Sequence, residues 1–451
     1  MPTARNHSSL LTPSSFARTL ALILALAALT ACAPRPELNA AGYLLQRWQT
    51  EGAVARFGPA AEATPVSQLP GGVAGRVTAD GVPVPGVSVV LAQADGTPFS
   101  GVTDAQGRYQ IDGVPPGRYV PAAVGPGYAE TVMQDGWGLG RLATVISGQT
   151  TDLPVLAMRP DVAPALPEDP AAVFNLQAGE TYTATAAFPT GAAATVQPFS
   201  FQRDGVTIDS LRLYLPLDLA PDAKLPLLFA VYPGVIDGWE PVSVAYASQG
   251  FALVAISPAA AWKVDIDQHT LDARIALHLA RSGAFGPHIA DSPAVALGGS
   301  FSSAVLHRLL RAEGGKFAAW VTVGGISNAF TGAADFYAGK LAIPEQYALV
   351  IPALGPADLY PAQFLRYSPV YTAGELPATL IIHTGADTII PISQAYELEA
   401  ALRTAGVPVE LFYYADVSHY LQIGENMTDT GAQMFLLILD FARRYAGLPV
   451  G

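Results

Sequence analysis

One serine lies in a tight turn whose composition and position point to chemistry. The sequence Gly-Gly-Ser-Phe-Ser at 298–302 follows an apolar run and precedes a segment with helical periodicity. Small neighbours suit such a strand-to-helix turn, because its backbone is strained and packs closely. The amide N–H of Phe301 and the positive end of the helix dipole would face a developing oxyanion. We therefore predict Ser300 as a nucleophile for acyl transfer; the alternative is an ordinary turn serine.

A serine hydroxyl becomes a good nucleophile only when a base removes its proton, so a histidine should accompany Ser300. Three histidines follow it in the chain: His307, His383 and His419. His307 falls in the helix predicted after the serine, and His383 falls inside an apolar run, where a core histidine bonded to backbone is expected. His419 lies in a loop after the strand-like stretch 409–414. Because that loop leaves the carboxyl end of a strand, we predict His419 as the base.

The third member of such a triad is a carboxylate that orients the imidazole. Asp387 closely follows the apolar run 379–383, at the end of the preceding predicted strand. Serine, aspartate and histidine then occur in the chain order of the α/β-hydrolase arrangement. Asp416 is the alternative acid because it lies beside the base, but three residues along a loop rarely aim a carboxylate at the ring. We predict Asp387 as the acid.

An oxyanion hole needs a second backbone donor, which we expect from the loop after the apolar run 225–232. Pro233 has no N–H and cannot serve. Gly234 or Val235 must therefore supply the donor that faces the amide of Phe301.

Two aromatic residues near this loop are candidates for a substrate pocket. Tyr232 would either add a hydroxyl donor or pack in the core. Trp239 would either line the acyl pocket or cap a helix. The long, aromatic-rich segment 328–364 lies between two predicted strands and would form either a lid over the site or a structural insertion.

The elements that must position these residues alternate along the second half of the chain. Continuous apolar runs predict strands buried on both faces, with helices between them. The predicted strands are 225–232, 251–256, 294–297, 318–323, 379–383 and 409–414. The predicted helices are 244–249, 270–281, 304–312, 394–405 and 431–445. This rhythm predicts an α/β fold, a mostly parallel sheet with helices on both faces, which binds ligands at the carboxyl ends of its strands.

Residues 195–449 resemble α/β-hydrolases of the prolyl oligopeptidase and dienelactone hydrolase type. Besides the serine, acid and base, the resemblance rests on the opening segment 204–216 and on Tyr-Ser-Pro-Val at 367–370. It implies a serine hydrolase that acts on a small ester or peptide substrate, with no metal and no organic cofactor.

The sequence departs from the pattern of that family in three respects. Ser302 and Ser303 stand where two glycines are usual, Gly385 comes one place late in the acid loop, and Ser418 stands where glycine is frequent before the base. All of these residues are small or polar, so the departures affect subfamily placement more than the chemistry.

A smaller domain precedes the α/β region. Residues 69–158 show period-two apolar patterns separated by Gly, Pro and Asp turns, which predicts an all-β sandwich. Gly-Arg-Val at 75–77, Gly-Arg-Tyr at 107–109 and Pro-Pro-Gly-Arg-Tyr at 115–119 resemble the carboxypeptidase-regulatory-like, transthyretin-type module. That resemblance implies a spacer or a domain that binds a glycan or a protein partner. A Pro-rich linker over 159–190 then leads to a catalytic domain over 191–451.

The N-terminus has the parts of an export signal. Residues 1–31 contain two basic residues, no acid, and an apolar run too short to span a bilayer. Leu-Thr-Ala-Cys at 29–32 resembles a bacterial lipoprotein box, which implies lipidation of Cys32 and a tether over 32–68. An ordinary signal peptide is the alternative. We expect an exported lipoprotein, anchored to a membrane through Cys32 and facing the periplasm or the cell exterior.

Composition limits the remaining function classes. The chain has 451 residues, of which 51% are apolar and 14% charged, with a net charge of −13. An acidic chain repels phosphate backbones, so nucleic acid is not an expected partner. A single cysteine excludes a disulfide framework and a Cys-rich metal site.

These observations lead to three hypotheses. The first is an exported, lipid-anchored serine hydrolase that cleaves carboxylic esters through an acyl-enzyme. The second is a serine peptidase of the prolyl oligopeptidase family. The third is a non-catalytic surface binding protein on a hydrolase scaffold.

Overall fold

The computed structural model describes residues 69–134, 140–347, 350–415, 417–419 and 429–449. The predicted signal peptide, Cys32, the tether and the alternative acid Asp416 lie outside the described residues. Everything described falls within one compact unit, Ser67–Gly451. Within these ranges, no helix is both long and apolar enough to cross a membrane.

In the described part of the β-sandwich there are eleven short strands, β1 to β11. Their bounds are Gly71–Ala79, Val82–Pro83, Ser88–Ala92, Pro98–Val102, Arg108–Val114, Gly117–Tyr119, Ala122–Gly125, Tyr128–Val132, Ala143–Val145, Thr150–Asp152 and Leu156–Ala157. One sheet is centred on β1, which pairs with β2, β5, β10 and β11, and another has the order β4-β3-β7-β8. In β5, exposed Arg108 and buried Tyr109 begin the alternation that places apolar side chains between the sheets. The predicted β-sandwich is confirmed.

Ten further strands, β12 to β21, form one large sheet. Their bounds are Gln177–Ala178, Tyr182–Thr185, Ala193–Arg203, Val206–Pro216, Leu227–Val231, Ala252–Ile256, Ala294–Gly299, Phe317–Val323, Ala378–Thr384 and Val409–Tyr414. The order is β12-β14-β15-β17-β16-β18-β19-β20-β21, with β13 also paired to β14. Pairing is antiparallel as far as β17 and parallel from there to β21. The predicted mostly parallel sheet is confirmed.

Nine α-helices, α1 to α9, lie within the described ranges. Their bounds are Pro170–Val173, Glu240–Ala247, Ile266–Arg281, Phe301–Ala312, Ala329–Tyr337, Val350–Ala353, Pro361–Arg366, Ser393–Thr404 and Asp429–Ala446. One face of the large sheet packs against α3, α4 and α8, and the other packs against α2 and α9. Helices on both faces explain why β16 to β18 read as unbroken apolar runs.

The segment predicted as a linker, 159–190, contributes to the large sheet. It contains α1 and the edge strands β12 and β13, which pair with β14. The strands are short, and most of their side chains are exposed. Because no apolar pattern marks such an edge, sequence reasoning missed it.

The β-sandwich packs directly against the α/β region. Its β3 and β7 are buried on both faces, and their outward side chains join the apolar core of the α/β region. These outward residues are Val90, Ala92, Ala122 and Val124. Helix α7, in the segment 328–364, packs against β7 and β8. This part of the segment therefore serves as a structural insertion.

Parallel pairing brings the candidate site residues to one edge of the sheet. The predicted oxyanion loop follows β16, the serine follows β18, the acid follows β20 and the base follows β21. Since these strands run parallel, their carboxyl ends lie along the same edge.

Candidate active site

Ser300 occupies a strained turn between β18 and α4. Its backbone has φ 51° and ψ −132°, a left-handed conformation that a residue with a side chain rarely adopts. A Cβ on Gly298 would lie 2.5 Å from Leu306 Cδ1, and a Cβ on Gly299 would lie 2.4 Å from the Val323 carbonyl oxygen. A side chain at 299 would therefore collide with backbone, whereas one at 298 would meet the movable end of Leu306 and lie 3.0 Å from the Val231 carbonyl oxygen.

His419 contacts the serine from the loop after β21. Its Nε2 lies 3.1 Å from Ser300 Oγ, and its Nδ1 lies 2.7 Å from Asp387 Oδ2. A carboxylate only accepts hydrogen bonds, so Nδ1 carries the hydrogen and donates it to Asp387. The Nε2 atom is then free of hydrogen and accepts the serine hydroxyl. Three residues predicted from distant parts of the chain thus form one hydrogen-bonded row.

Asp387 is held by the turn that follows it. Its side chain is fully buried, and Oδ1 accepts backbone hydrogen bonds from Ile389 at 2.9 Å and from Ile390 at 2.8 Å. The other oxygen remains directed at His419. Each oxygen of the carboxylate therefore has hydrogen-bond donors, which hold it in a fixed orientation towards His419.

A second histidine and one glycine, neither predicted as part of the site, adjoin this pair. His383 Nε2 donates to the Ile390 carbonyl at 2.8 Å and lies 3.5 Å from Asp387 Oδ2. Burial lowers the pKa of His383, so its imidazole is neutral at neutral pH. A Cβ on Gly324 would lie 3.5 Å from Asp387 Oδ2 and 3.6 Å from His419 Nδ1. Gly324 directly follows the buried strand β19. This position is the one signal in the sequence that could have suggested that Gly324 lies near the site.

The three backbone amides predicted as oxyanion donors lie at the start of α4 and just after β16. Phe301 is the first residue of α4, so its N–H has no partner within the helix. Gly234 and Val235 follow β16, and Gly234 has φ 77°. Among the described residues, no backbone hydrogen bond uses the amide of Phe301, Gly234 or Val235. Val235 is 74% exposed, so this loop faces solvent.

Tyr232 is packed in the core and does not line a pocket. Its ring is 2% exposed and stacks on Trp239 with a centroid separation of 4.8 Å. Its hydroxyl accepts a hydrogen bond from Ser243, and burial raises its pKa. Trp239 donates from Nε1 to the Pro233 carbonyl at 2.7 Å. Of the two alternatives for Tyr232, packing in the core is therefore the one observed, and Trp239 is bonded to the loop that follows β16.

The remaining histidine after the serine is structural. His307 is fully buried in α4, and its Nε2 bonds Thr372 Oγ1 at 2.7 Å. Burial and the neighbouring Arg311 and Arg308 hold its pKa well below the usual histidine range. A neutral imidazole that lies about two turns further along the helix and is bonded to Thr372 is not placed to act on Ser300.

Comparison with known proteins agrees with this architecture. A model of the carboxypeptidase regulatory-like domain matches residues 72–158, and a model of the prolyl oligopeptidase family matches residues 286–448. No curated protein matches the chain.

The sheet and helices resemble those of solved hydrolases. A propionate-bound esterase from Thermogutta terrifontis is 18% identical, with a TM-score of 0.42, over 55% of this chain and 93% of its own. An acylaminoacyl peptidase from Pyrococcus horikoshii is 14% identical, with a TM-score of 0.45, over 80% of this chain and 54% of its own. At such identities the likeness concerns the fold alone.

The fold and the family match over residues 286–448 define the class of the protein as a serine hydrolase. Within that class, the chain carries a carboxypeptidase regulatory-like domain followed by a domain of the prolyl oligopeptidase family. The predicted resemblances to both families are confirmed.

Proposed function

We propose that the protein hydrolyses carboxylic esters through an acyl-enzyme formed on Ser300, with His419 as general base and acid and Asp387 as the orienting carboxylate. The observation that carries the proposal is the continuous hydrogen-bonded row from Ser300 Oγ through His419 to Asp387 Oδ2. Nucleophile, base and orienting group are within hydrogen-bond reach of one another, as this chemistry requires.

The first half of the reaction forms the acyl-enzyme. Ser300 Oγ attacks the ester carbonyl carbon while His419 Nε2 takes the hydroxyl proton. The carbonyl oxygen becomes an oxyanion, and the amides of Phe301 and of Gly234 or Val235 would stabilise it. The intermediate then expels the alcohol, which receives the proton from His419.

The second half releases the acid. A water molecule gives a proton to His419 Nε2 and attacks the acyl carbon, and collapse of the second intermediate returns that proton to Ser300 Oγ. Asp387 stabilises the imidazolium in both halves. Its two bonds from backbone amides keep the carboxylate oriented throughout.

An ester is the simpler substrate for this architecture. An alcohol is a better leaving group than an amine, so an ester requires less precise protonation of the departing atom. In the described β-sandwich, the sheet that contains β3 and β7 packs against the core of the α/β region. We therefore do not expect this sheet to enclose a chamber for peptides. The match to the prolyl oligopeptidase family makes a peptidase the second candidate.

The triad is tested by labelling with a fluorophosphonate and by hydrolysis of p-nitrophenyl butyrate. We expect the wild-type protein to react in both assays and Ser300→Ala to react in neither. Ser147→Ala removes an exposed hydroxyl of the sandwich and should behave as wild type. An unlabelled wild-type protein would support the binding-protein alternative, and a labelled Ser300→Ala variant would show that another residue is the nucleophile.

Ester and peptide activities are separated by a substrate panel. We expect turnover of short-chain p-nitrophenyl esters and no turnover of peptidyl p-nitroanilides. A larger kcat/KM for the anilides than for the esters would contradict the esterase proposal and favour the peptidase.

The proposal includes export and anchoring through Cys32, on the strength of the basic start, the short apolar run and the single cysteine at 32. In a bacterial host, the full chain should incorporate a clickable palmitate analogue and sediment with membranes. Cys32→Ser should lose both properties while keeping esterase activity. Processing of Cys32→Ser at the same site without lipid would favour the ordinary signal peptide.

A further inference from the structure

Glu130 joins the β-sandwich to the helix that begins at the predicted nucleophile. It lies in β8, and its side chain is 3% exposed. One of its carboxylate oxygens accepts hydrogen bonds from Arg308 at 2.5 Å and from Arg311 at 2.6 Å. Both arginines lie in the second half of α4, whose first residue directly follows Ser300. A side chain of the sandwich is thus bonded to the same helix as the nucleophile.

This contact is strongly charged and stays so on acidification. Burial by itself would raise the pKa of Glu130, but the guanidinium groups of Arg308, Arg311 and Arg366 lower it to about 2. The carboxylate is therefore ionised over the whole working pH range, and the contact acts as a permanent link.

A second carboxylate extends the link. Arg311 donates from Nε to Glu375 at 2.8 Å and from NH2 to the Tyr128 carbonyl at 3.0 Å. Glu375 in turn accepts the backbone amide of Gly127 at 2.8 Å. The turn before β8 and the end of α4 are therefore connected in two ways, directly through Arg311 and indirectly through Glu375.

The sandwich also contacts α5, through a different turn. A Cβ on Gly96 would lie 2.5 Å from the Phe330 carbonyl oxygen and 2.8 Å from Ala333 Cβ, so this turn packs tightly on the helix. Gly96 has φ 103°, which also favours glycine.

Helix α5 leads to the acid loop. The segment that follows it donates the amide of Ala342 to the carbonyl of Thr388 at 2.7 Å. Thr388 is the residue after Asp387. The Glu130 contact of the sandwich thus involves α4, the helix that follows Ser300. The Gly96 contact involves α5, and the segment after α5 is bonded next to Asp387.

From these contacts we propose that the β-sandwich is a positioning element of the active site, with Glu130 as the positioning residue that fixes α4 and hence Ser300. The inference rests on the proposed function of Ser300. Packed interiors transmit small displacements with little loss, so a shift of the arginine end of α4 would displace the serine at its other end. A displacement of about 1 Å in a catalytic group can cost about a hundred-fold in rate.

The test is Glu130→Gln in the full chain, which removes the charge and keeps the shape. Kinetics are measured at a temperature where thermal unfolding shows each variant to be folded. We expect kcat for p-nitrophenyl butyrate and the rate of fluorophosphonate labelling to fall roughly ten-fold. The KM should stay within about two-fold, because the change affects placement of the nucleophile and not substrate contacts.

Glu313→Gln is the matched control. Glu313 is also a poorly exposed carboxylate at the end of α4, but its ion-pair partners, Arg274 and Lys316, belong to the α/β region. We expect this control to lose stability while keeping the labelling rate. An equal loss of rate in both variants would overturn a role specific to the sandwich.

A second variant, Gly96→Ala, disturbs the other contact without changing any charge. We expect a smaller fall in kcat in the same direction. Lower melting temperatures with wild-type labelling rates, in both Glu130→Gln and Gly96→Ala, would overturn the proposal and leave the sandwich as a purely stabilising domain. The role of Ser300 is judged separately, because Ser300→Ala in the intact background tests it alone.

Discussion

The nucleophile and the acid–base pair of the candidate active site are held by different physical means. Around Ser300, the decisive feature is missing side-chain volume: Gly298 and Gly299 allow backbone and side chains to approach where a Cβ would collide. Around Asp387 and His419, the decisive feature is a set of hydrogen bonds from Ile389, Ile390 and Ser300. One half is positioned by close packing, and the other by directed polar contacts.

This contrast explains which half is easier to find in a sequence. Close packing demands small residues at fixed spacing, so it leaves a motif. A hydrogen-bonded loop can be built from many residues, because backbone amides serve as donors whatever the side chain. The acid and base are therefore found by elimination among the few histidines and strand ends, and their supporting residues are not found at all.

The largest expected effect is on the polar half. Asp387→Asn should lower kcat by about 10⁴-fold, because the amide no longer selects the reactive tautomer of His419 or stabilises its imidazolium. Steady-state hydrolysis of p-nitrophenyl butyrate measures the effect. A loss below about ten-fold would instead favour Asp416 as the acid, and Asp416→Asn would then show the large loss.

The packed half should respond to one added methyl group. Gly299→Ala places a Cβ 2.4 Å from the backbone oxygen of Val323, which cannot rotate away. We expect a loss of about 1–3 kcal/mol in unfolding free energy and a labelling rate reduced roughly a hundred-fold. Gly314→Ala is the control, since a Cβ there meets nothing within 4 Å. Equal behaviour of the two variants would refute steric positioning of the serine.

A milder effect is expected from the support of the acid loop. His383→Gln weakens the bond to the Ile390 carbonyl, which itself belongs to the turn that holds Asp387. We expect kcat to fall about ten-fold and the unfolding free energy to fall by about 1 kcal/mol. His288→Gln, which changes a half-buried histidine bonded to the carbonyl of Ala223, should leave kcat unchanged.

The smallest expected effect at neutral pH concerns the pH dependence of stability, because this effect develops only on acidification. Burial lowers the pKa of His383 and of His307, so both are neutral in the folded state, whereas the unfolded chain protonates near pH 6.5. Their stabilising contribution is complete above about pH 6.5 and is lost as the pH falls towards the folded pKa, by up to about 1.4 kcal/mol per pH unit for each residue.

Urea unfolding of the wild type and of His383→Gln at about pH 7.5 and about pH 5.5 checks this sign. The variant should lose less stability between the two pH values than the wild type does. An equal or larger loss in the variant would show that His383 titrates normally in the folded protein.

Much of the α/β fold follows from the sequence. The apolar runs that become β16 to β20 are continuous and flanked by helical periodicity, so their strand character and mostly parallel pairing are predictable, although their order in the sheet is not. The order of Ser300, Asp387 and His419 along the chain then places all three at one edge of the sheet.

Other parts leave no local signal. The edge strands β12 and β13 carry exposed residues and pair only because β14 offers an open edge. Glu130 and its two arginine partners are 178 and 181 residues apart in the chain, so no spacing rule connects them. The burial of β3 on both faces depends on a contact with the α/β region that sequence alone does not reveal.

The outward side chains of β3 and β7 have a consequence for whether the two domains can be separated in evolution. A chain that began at 191 would present to water the apolar surface that Val90 and Val124 now cover. We expect such a fragment to aggregate when expressed alone. Gene rearrangements that separate the two parts would therefore produce an insoluble product, and the pair would be transmitted as one evolutionary module.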